Sequence, residues 1–193
     1  MPPKMFIVAG PPGSGKSTAF PVAAFGVDSF NADDHAAALN KGLYRDIPRA
    51  VRSRVNDLFE TFVLDHIDAR SSFALETTLR SAVTFEQAAL ARRAGFVIEM
   101  RYICLPHLDM HMERVKMRAD RGGHSAPEPV LRGIYESSMA NLPRAIREMD
   151  LIYVYENGKW GKTPEILLQA EHGEIVYRAE RIPHWLAVSL ALL

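Results

Sequence analysis

The chain has 193 residues, of which 48% are hydrophobic, and Lys+Arg and Asp+Glu both total 23. That length suffices for one domain with its own core, and the balanced charge leaves no global basic field of the kind nonspecific nucleic-acid binding needs. The single Cys104 excludes an intrachain disulfide and any multi-cysteine metal site. No apolar stretch reaches the length of a membrane span and no charged-then-apolar leader opens the sequence, so a cytoplasmic location is expected.

In chain order, the apolar run Met5-Phe6-Ile7-Val8-Ala9 predicts a buried first strand over residues 4–9. Directly behind it, Gly10-Pro11-Pro12-Gly13-Ser14-Gly15-Lys16-Ser17 fits the phosphate-binding pattern G-x-x-x-x-G-K-[ST] at every fixed position. The glycines let the backbone wrap a phosphate chain with successive N–H groups pointing inward, and the helix that follows adds the positive end of its dipole. The pattern therefore predicts a bound nucleoside triphosphate, with Lys16 on the β/γ-phosphates and the Ser17 hydroxyl on Mg²⁺. That helix is expected from 15 to 24, stopped by Phe25-Gly26, with a short second strand over 27–31.

Apolar residues at Val51, Val55, Leu58/Phe59, Phe62/Val63 and Ile67 predict an amphipathic helix over 48–70. A third strand over 72–75, a helix over 82–94 ended by Gly95, and a long fourth strand over 96–105 follow. Helices are predicted over 107–119, with Pro106 near the first turn, and over 127–148, separated by Gly122-Gly123. Leu151–Tyr155 reads as a fifth buried strand. The tail reads as a β-hairpin around His172-Gly173, then a short helix after Pro183. Strand–helix alternation implies one α/β domain over 1–193, with a five-stranded parallel sheet, helices on both faces and a C-terminal hairpin extension over 163–193. Ligands belong at the strand C-terminal edge.

That edge carries ionisable groups. The second strand runs into Asn31-Ala32-Asp33-Asp34-His35, where a carboxylate can accept a proton from an attacking hydroxyl. Asp33 is the expected base and Asp34 the expected cap of a helix starting at His35. The third strand ends in Glu76-Thr77-Thr78-Leu79-Arg80, and Glu76 reads either as a Mg²⁺-positioning carboxylate, as an ordinary strand-end residue, or as a partner for a polyhydroxylated substrate. Arg114, Arg118 and Arg121 share one helical face that leads to Gly122-Gly123-His124, which reads either as a solvated basic face or, in this context, as a lid closing over transferring phosphates about residues 107–127. His107 and His111 share an i, i+4 face, but no third metal ligand at a recognisable spacing follows. Glu60 lies off the apolar stripe of its helix, and Asn40-Lys41-Gly42-Leu43 fails as a guanine-reading motif at the aspartate.

The phosphate loop, the Asn31-Ala32-Asp33 strand end, Phe73-Ala74-Leu75-Glu76-Thr77-Thr78-Leu79, and Arg114-Val115 through Arg118, Arg121-Gly122-Gly123-His124-Ser125-Ala126-Pro127 occur in order, and Tyr135 and Ser138 through Asn141-Leu142 continue them. Together they resemble the zeta toxin family of P-loop kinases. The resemblance implies a P-loop kinase fold and ATP- and Mg²⁺-dependent phosphorylation of a sugar hydroxyl, in the studied toxins the 3′-hydroxyl of UDP-N-acetylglucosamine, with an antitoxin protein as partner. It implies that Gly10, Pro11, Pro12, Gly13, Ser14, Gly15, Lys16, Ser17 and Thr18 bind ATP and that Asp33, Lys16 and Arg118 are catalytic. It further implies that Glu76, Thr78, Arg80 and Glu60 contact the substrate, and that Arg114, Arg121 and His124 belong to the lid. The chain departs from many relatives in carrying Gly133, Ile134 and Ser137 where they are arginine-rich, and in lacking their longer extensions.

Overall fold

A computed structural model describes residues 1–123, 126–159 and 161–193. Its parallel strands are β1 (Lys4–Ala9), β2 (Asp28–Phe30), β3 (Phe73–Thr77), β4 (Val97–Cys104) and β5 (Leu151–Glu156). The helices are α1 (Lys16–Ala19), α2 (Ala32–Leu39), α3 (Arg49–Asp68), α4 (Val83–Arg93), α5 (Leu108–Asp120), α6 (Glu128–Glu148) and α7 (His184–Leu190). The remaining strands, β6 (Glu165–Glu171) and β7 (Glu174–Arg178), are antiparallel, and the order across the sheet is β2-β3-β1-β4-β5-β6-β7.

The five parallel strands are those expected from the sequence. The tail hairpin does more than expected: β6 pairs with β5, so the sheet grows to seven strands among the described residues. His172 (φ 50°) and Gly173 (φ 85°) form the turn between β6 and β7, the two positive φ values a tight two-residue hairpin turn requires.

Alternation along β1 splits the core. Met5, Ile7 and Ala9 join residues of α3, α4, α6 and α7 in the main cluster, whereas Val8 packs with Ala74 and Val22 on the opposite face. That second face has little helical cover, because α1 is shorter than the predicted 15–24. Pro21 stops it after Ala19, since proline has no N–H to continue the ladder, and a 3-10 turn over Val22–Phe25 follows. Arg101 on this face lies over the rings of Phe20 and Phe25, at 5.2 and 4.8 Å from their centroids. Among the described residues no helix is long and apolar enough to cross a membrane.

Candidate active site

β1 ends in the loop Gly10–Gly15, whose three glycines have φ of 143°, 77° and 92°. Only glycine adopts such values without strain. Space forbids any other residue as well. A Cβ on Gly10 would sit 2.1 Å from the Ile103 carbonyl oxygen, one on Gly13 2.5 Å from that of His111, and one on Gly15 2.4 Å from the Asn157 amide nitrogen. The loop is thus packed from behind by β4, α5 and the segment after β5, with its other side left for a ligand. Among the described residues its buried Ser14 hydroxyl has no hydrogen-bond partner, and at the loop's end Lys16 is buried.

The Lys16 ammonium donates to the carbonyls of Gly10 (2.9 Å) and Pro11 (3.2 Å) and stands 3.9 Å from Glu76 Oε1. Burial lowers its proton affinity below that of an ordinary lysine, opposed by the negative fields of Glu76 and Asp33. Glu76, at the C-terminal end of β3, accepts the Ser17 hydroxyl at 2.8 Å and the Asn31 amide at 3.4 Å through Oε2. A serine hydroxyl and a carboxylate beside the phosphate loop are the hard oxygen ligands Mg²⁺ takes.

Asp33 and Asp34 separate cleanly. The structure corrects the capping expectation: α2 starts at Ala32, earlier than His35, and its cap is Asn31, whose Oδ1 accepts the N–H groups of Asp33 and Asp34 at 3.0 and 3.3 Å. Asn31 has the extended backbone of a cap, which leaves both aspartates inside the first turn. Asp33 is half-buried and close enough to act on Lys16, whereas exposed Asp34 accepts the Tyr44 hydroxyl at 2.8 Å.

The segment after β3 is shaped by its own bonds. Thr77 Oγ1 accepts the Leu79 N–H at 3.1 Å, Leu79 is buried with φ 57°, and the Asn141 amide donates to the Leu79 carbonyl at 2.9 Å. Thr78 is half-buried beside this turn and Arg80 is exposed. Glu60 is exposed on α3, as its position off the apolar stripe predicts.

Arg114 on α5 donates to the Asn157 carbonyl at 2.9 Å, and its guanidinium approaches the loop at Gly15. Arg118 lies close enough to Lys16 to oppose its positive charge. Arg121, the C-cap that follows the helix, is exposed. Gly122 and Gly123 are a helix stop: their N–H groups donate to the Ala119 and Arg118 carbonyls, and a Cβ on Gly123 would lie 2.5 Å from Arg118 Cγ. His124 of the expected lid lies outside the described residues.

Two residues that sequence reasoning did not place in the site hold the loop. Asn157, one residue beyond β5, donates its side-chain amide to the Ser14 carbonyl at 2.9 Å. Its only sequence signal was a polar residue at the strand's C-terminal edge. His111, considered above only as a metal ligand, is buried between the Pro12 carbonyl and the Leu105 N–H. No metal-binding group of three or more His, Cys, Asp or Glu occurs among the described residues. A cavity of about 630 Å³ lies between Pro106–Leu108, Glu156 and Arg181–Trp185, and shares no residue with the phosphate loop.

Comparison with known proteins places this geometry. An uncharacterized protein of Haemophilus influenzae is 26% identical over 136 residues, covering 68% of this chain and 92% of that protein. The structure of AvrRxo1-ORF1:-ORF2 with ATP matches at a TM-score of 0.69 and 18% identity; the match covers 98% of this chain, which spans 63% of the matched chain's length. The PezAT chromosomal toxin–antitoxin system of Streptococcus pneumoniae matches at a TM-score of 0.61 and 15% identity, over 99% of this chain and 78% of the other. At these identities the two structures share the fold. The family model described as an AAA domain matches residues 5–137, and the chain belongs to that AAA domain family.

Proposed function

We propose that the chain is an ATP-dependent phosphotransferase that moves the γ-phosphate to a hydroxyl of a small acceptor. The observation that carries this reading is the convergence of Lys16, Ser17, Glu76 and Asp33 at the C-terminal edge of β1–β3. The positive-φ glycines of the loop, packed from behind, and the buried Ser14 hydroxyl, without a partner among the described residues, fit a phosphate chain.

In this mechanism the loop N–H groups and Lys16 bind the phosphates, and Ser17 and Glu76 would hold Mg²⁺. The ion supplies charge neutralisation on the phosphates. Asp33, on the first turn of α2, takes the proton from the acceptor oxygen, which forms the bond to the phosphoryl group as the bond to the leaving diphosphate breaks. Arg114 and Arg118 of α5 stabilise the charge on the transferred group. Thr78, Arg80 and Glu60 contact the acceptor. The resemblance to the zeta toxins makes a UDP-sugar such as UDP-N-acetylglucosamine the first acceptor to try, and an antitoxin the partner to seek; the match to the PezAT toxin–antitoxin structure supports the second.

The test is phosphoryl transfer from γ-³²P-ATP with Mg²⁺ to a panel of UDP-sugars, nucleosides and DNA ends. Transfer to one class of hydroxyl, lost in Asp33→Asn, is the expected result. Slow hydrolysis without transfer to any acceptor would replace a kinase by a nucleotide-binding regulator.

A further inference from the structure

The phosphate loop has a peculiarity written in its sequence. Pro11 and Pro12 occupy two of its variable positions, and neither has a backbone N–H. This stretch can therefore be fastened only through its carbonyls. The Pro11 carbonyl accepts from Lys16 Nζ and, at 3.3 Å, from the Ser14 N–H. The Pro12 carbonyl is taken by His111, whose Nδ1 lies 2.8 Å away.

The tautomer follows from the other nitrogen. His111 Nε2 lies 3.1 Å from the Leu105 N–H, which can only donate, so Nε2 is the unprotonated acceptor and Nδ1 carries the proton given to Pro12. The ring is fully buried, edge-on to Tyr135 of α6 with centroids 5.2 Å apart, and 3.5 Å from the Cys104 sulfur of β4. Burial and the fields of Lys16 and Arg114 hold its pKa down to about 4, while burial pushes the Cys104 thiol and the Tyr135 phenol up to about 12, so the surrounding groups stay in one protonation state across the ordinary pH range.

The consequence lies in peptide planarity. The Pro12 carbonyl and the Gly13 N–H belong to one planar trans peptide, so drawing the carbonyl toward His111 turns the Gly13 N–H to the opposite side of the loop. We infer that His111 is the positioning residue that aims the Gly13 amide at the bound phosphate, tethering the phosphate loop to α5 through Pro12. Asn157 has the same relation to the next amide but one, since it holds the Ser14 carbonyl and thereby orients the Gly15 N–H. The inference rests on the nucleotide-binding reading above.

Two substitutions separate the two bonds of the ring. His111→Asn keeps a donor near the Nδ1 position and loses the acceptor for Leu105; His111→Gln keeps an acceptor near Nε2 and loses the donor to Pro12. Calorimetric titration with Mg-ATP is expected to give His111→Asn a Kd within about threefold of the parent and His111→Gln a Kd about tenfold weaker, the scale of one lost hydrogen bond. Equal Kd values in the two variants, whether both normal or both weakened, would assign His111 a merely structural role and overturn the tether. A second measurement needs no variant: the Nδ1 proton and the Gly13 amide in the ¹⁵N spectrum of the unsubstituted protein are expected to shift together on adding Mg-ATP, and if either stays unmoved the tether is wrong. Unsubstituted protein that binds no ATP overturns the nucleotide reading itself, whereas normal binding with matched variants overturns the tether alone.

Discussion

The phosphate loop and the segment after β3 lie side by side at one sheet edge, yet they are built differently. The loop is gripped from behind at Pro12, Ser14 and each of its three glycines, by residues of β4, α5 and the stretch beyond β5. The segment Thr77–Arg80 is held at Leu79, through Thr77 and Asn141, which leaves Thr78 half-buried and Arg80 exposed. A phosphate chain is the same in every nucleotide, so its cradle can be rigid and its spacing fixed. An acceptor differs from one enzyme to the next, and in the proposed mechanism it is read by the half-buried Thr78 and the exposed Arg80 on this pinned turn.

The sharpest way to break this comparison is Asp33→Asn, which is expected to cut transfer by about 10³-fold or more while ATP affinity stays within a few-fold, because a base acts on the acceptor. A variant that loses ATP binding instead would move Asp33 to the loop's side. Next, Lys16→Ala should retain the fold and lower transfer by roughly 10²–10³-fold; near-parental turnover in the folded variant would take the loop out of the chemistry.

A third test uses pH. His111 titrates near 4 in the folded protein against about 6.5 for an ordinary histidine, so the unfolded chain takes up its proton first as the pH falls. Its contribution is complete above pH ~6.5, declines through the interval down to about 4 and is level below, a loss of about 3 kcal/mol across the window. Urea unfolding at pH 7.5, 5.5 and 4.5 measures the slope, which His111→Asn should flatten. An unchanged slope in that variant would assign the acid sensitivity to other groups.

Smaller still, Asn157→Ala should weaken ATP binding about tenfold, the effect of one hydrogen bond behind the loop, and leave acceptor KM unaltered. Equal effects on ATP and acceptor would erase the distinction between the two regions. The last pair sits on α2. Loss of its cap in Asn31→Ala should cost about 1 kcal/mol of stability, whereas Asp34→Asn, at an exposed position, should change stability within about 0.5 kcal/mol. Thermal unfolding of both variants checks the order, and the reverse ranking would return the capping role to Asp34.

The sequence by itself determined the phosphate loop, because its spacing is local: strand, glycines, lysine and serine lie within thirteen residues of chain, from Met5 to Ser17. It also determined the five parallel strands, whose apolar runs alternate with helical periods, and it favoured Asp33 over Asp34 as the general base. Tertiary structure decided everything that joins distant segments. Ser17 meets Glu76 across 59 residues, Pro12 meets His111 across 99, and Ser14 meets Asn157 across 143. A histidine at position 111 carries the same local pattern whether it ligates a metal, faces water or pins a carbonyl; only the sheet order, which sets β4 beside β1, brings the Pro12 carbonyl to its ring. The hairpin's place is of the same kind. Its turn is written in His172-Gly173, but pairing with β5 depends on an edge that exists only once the parallel sheet has formed.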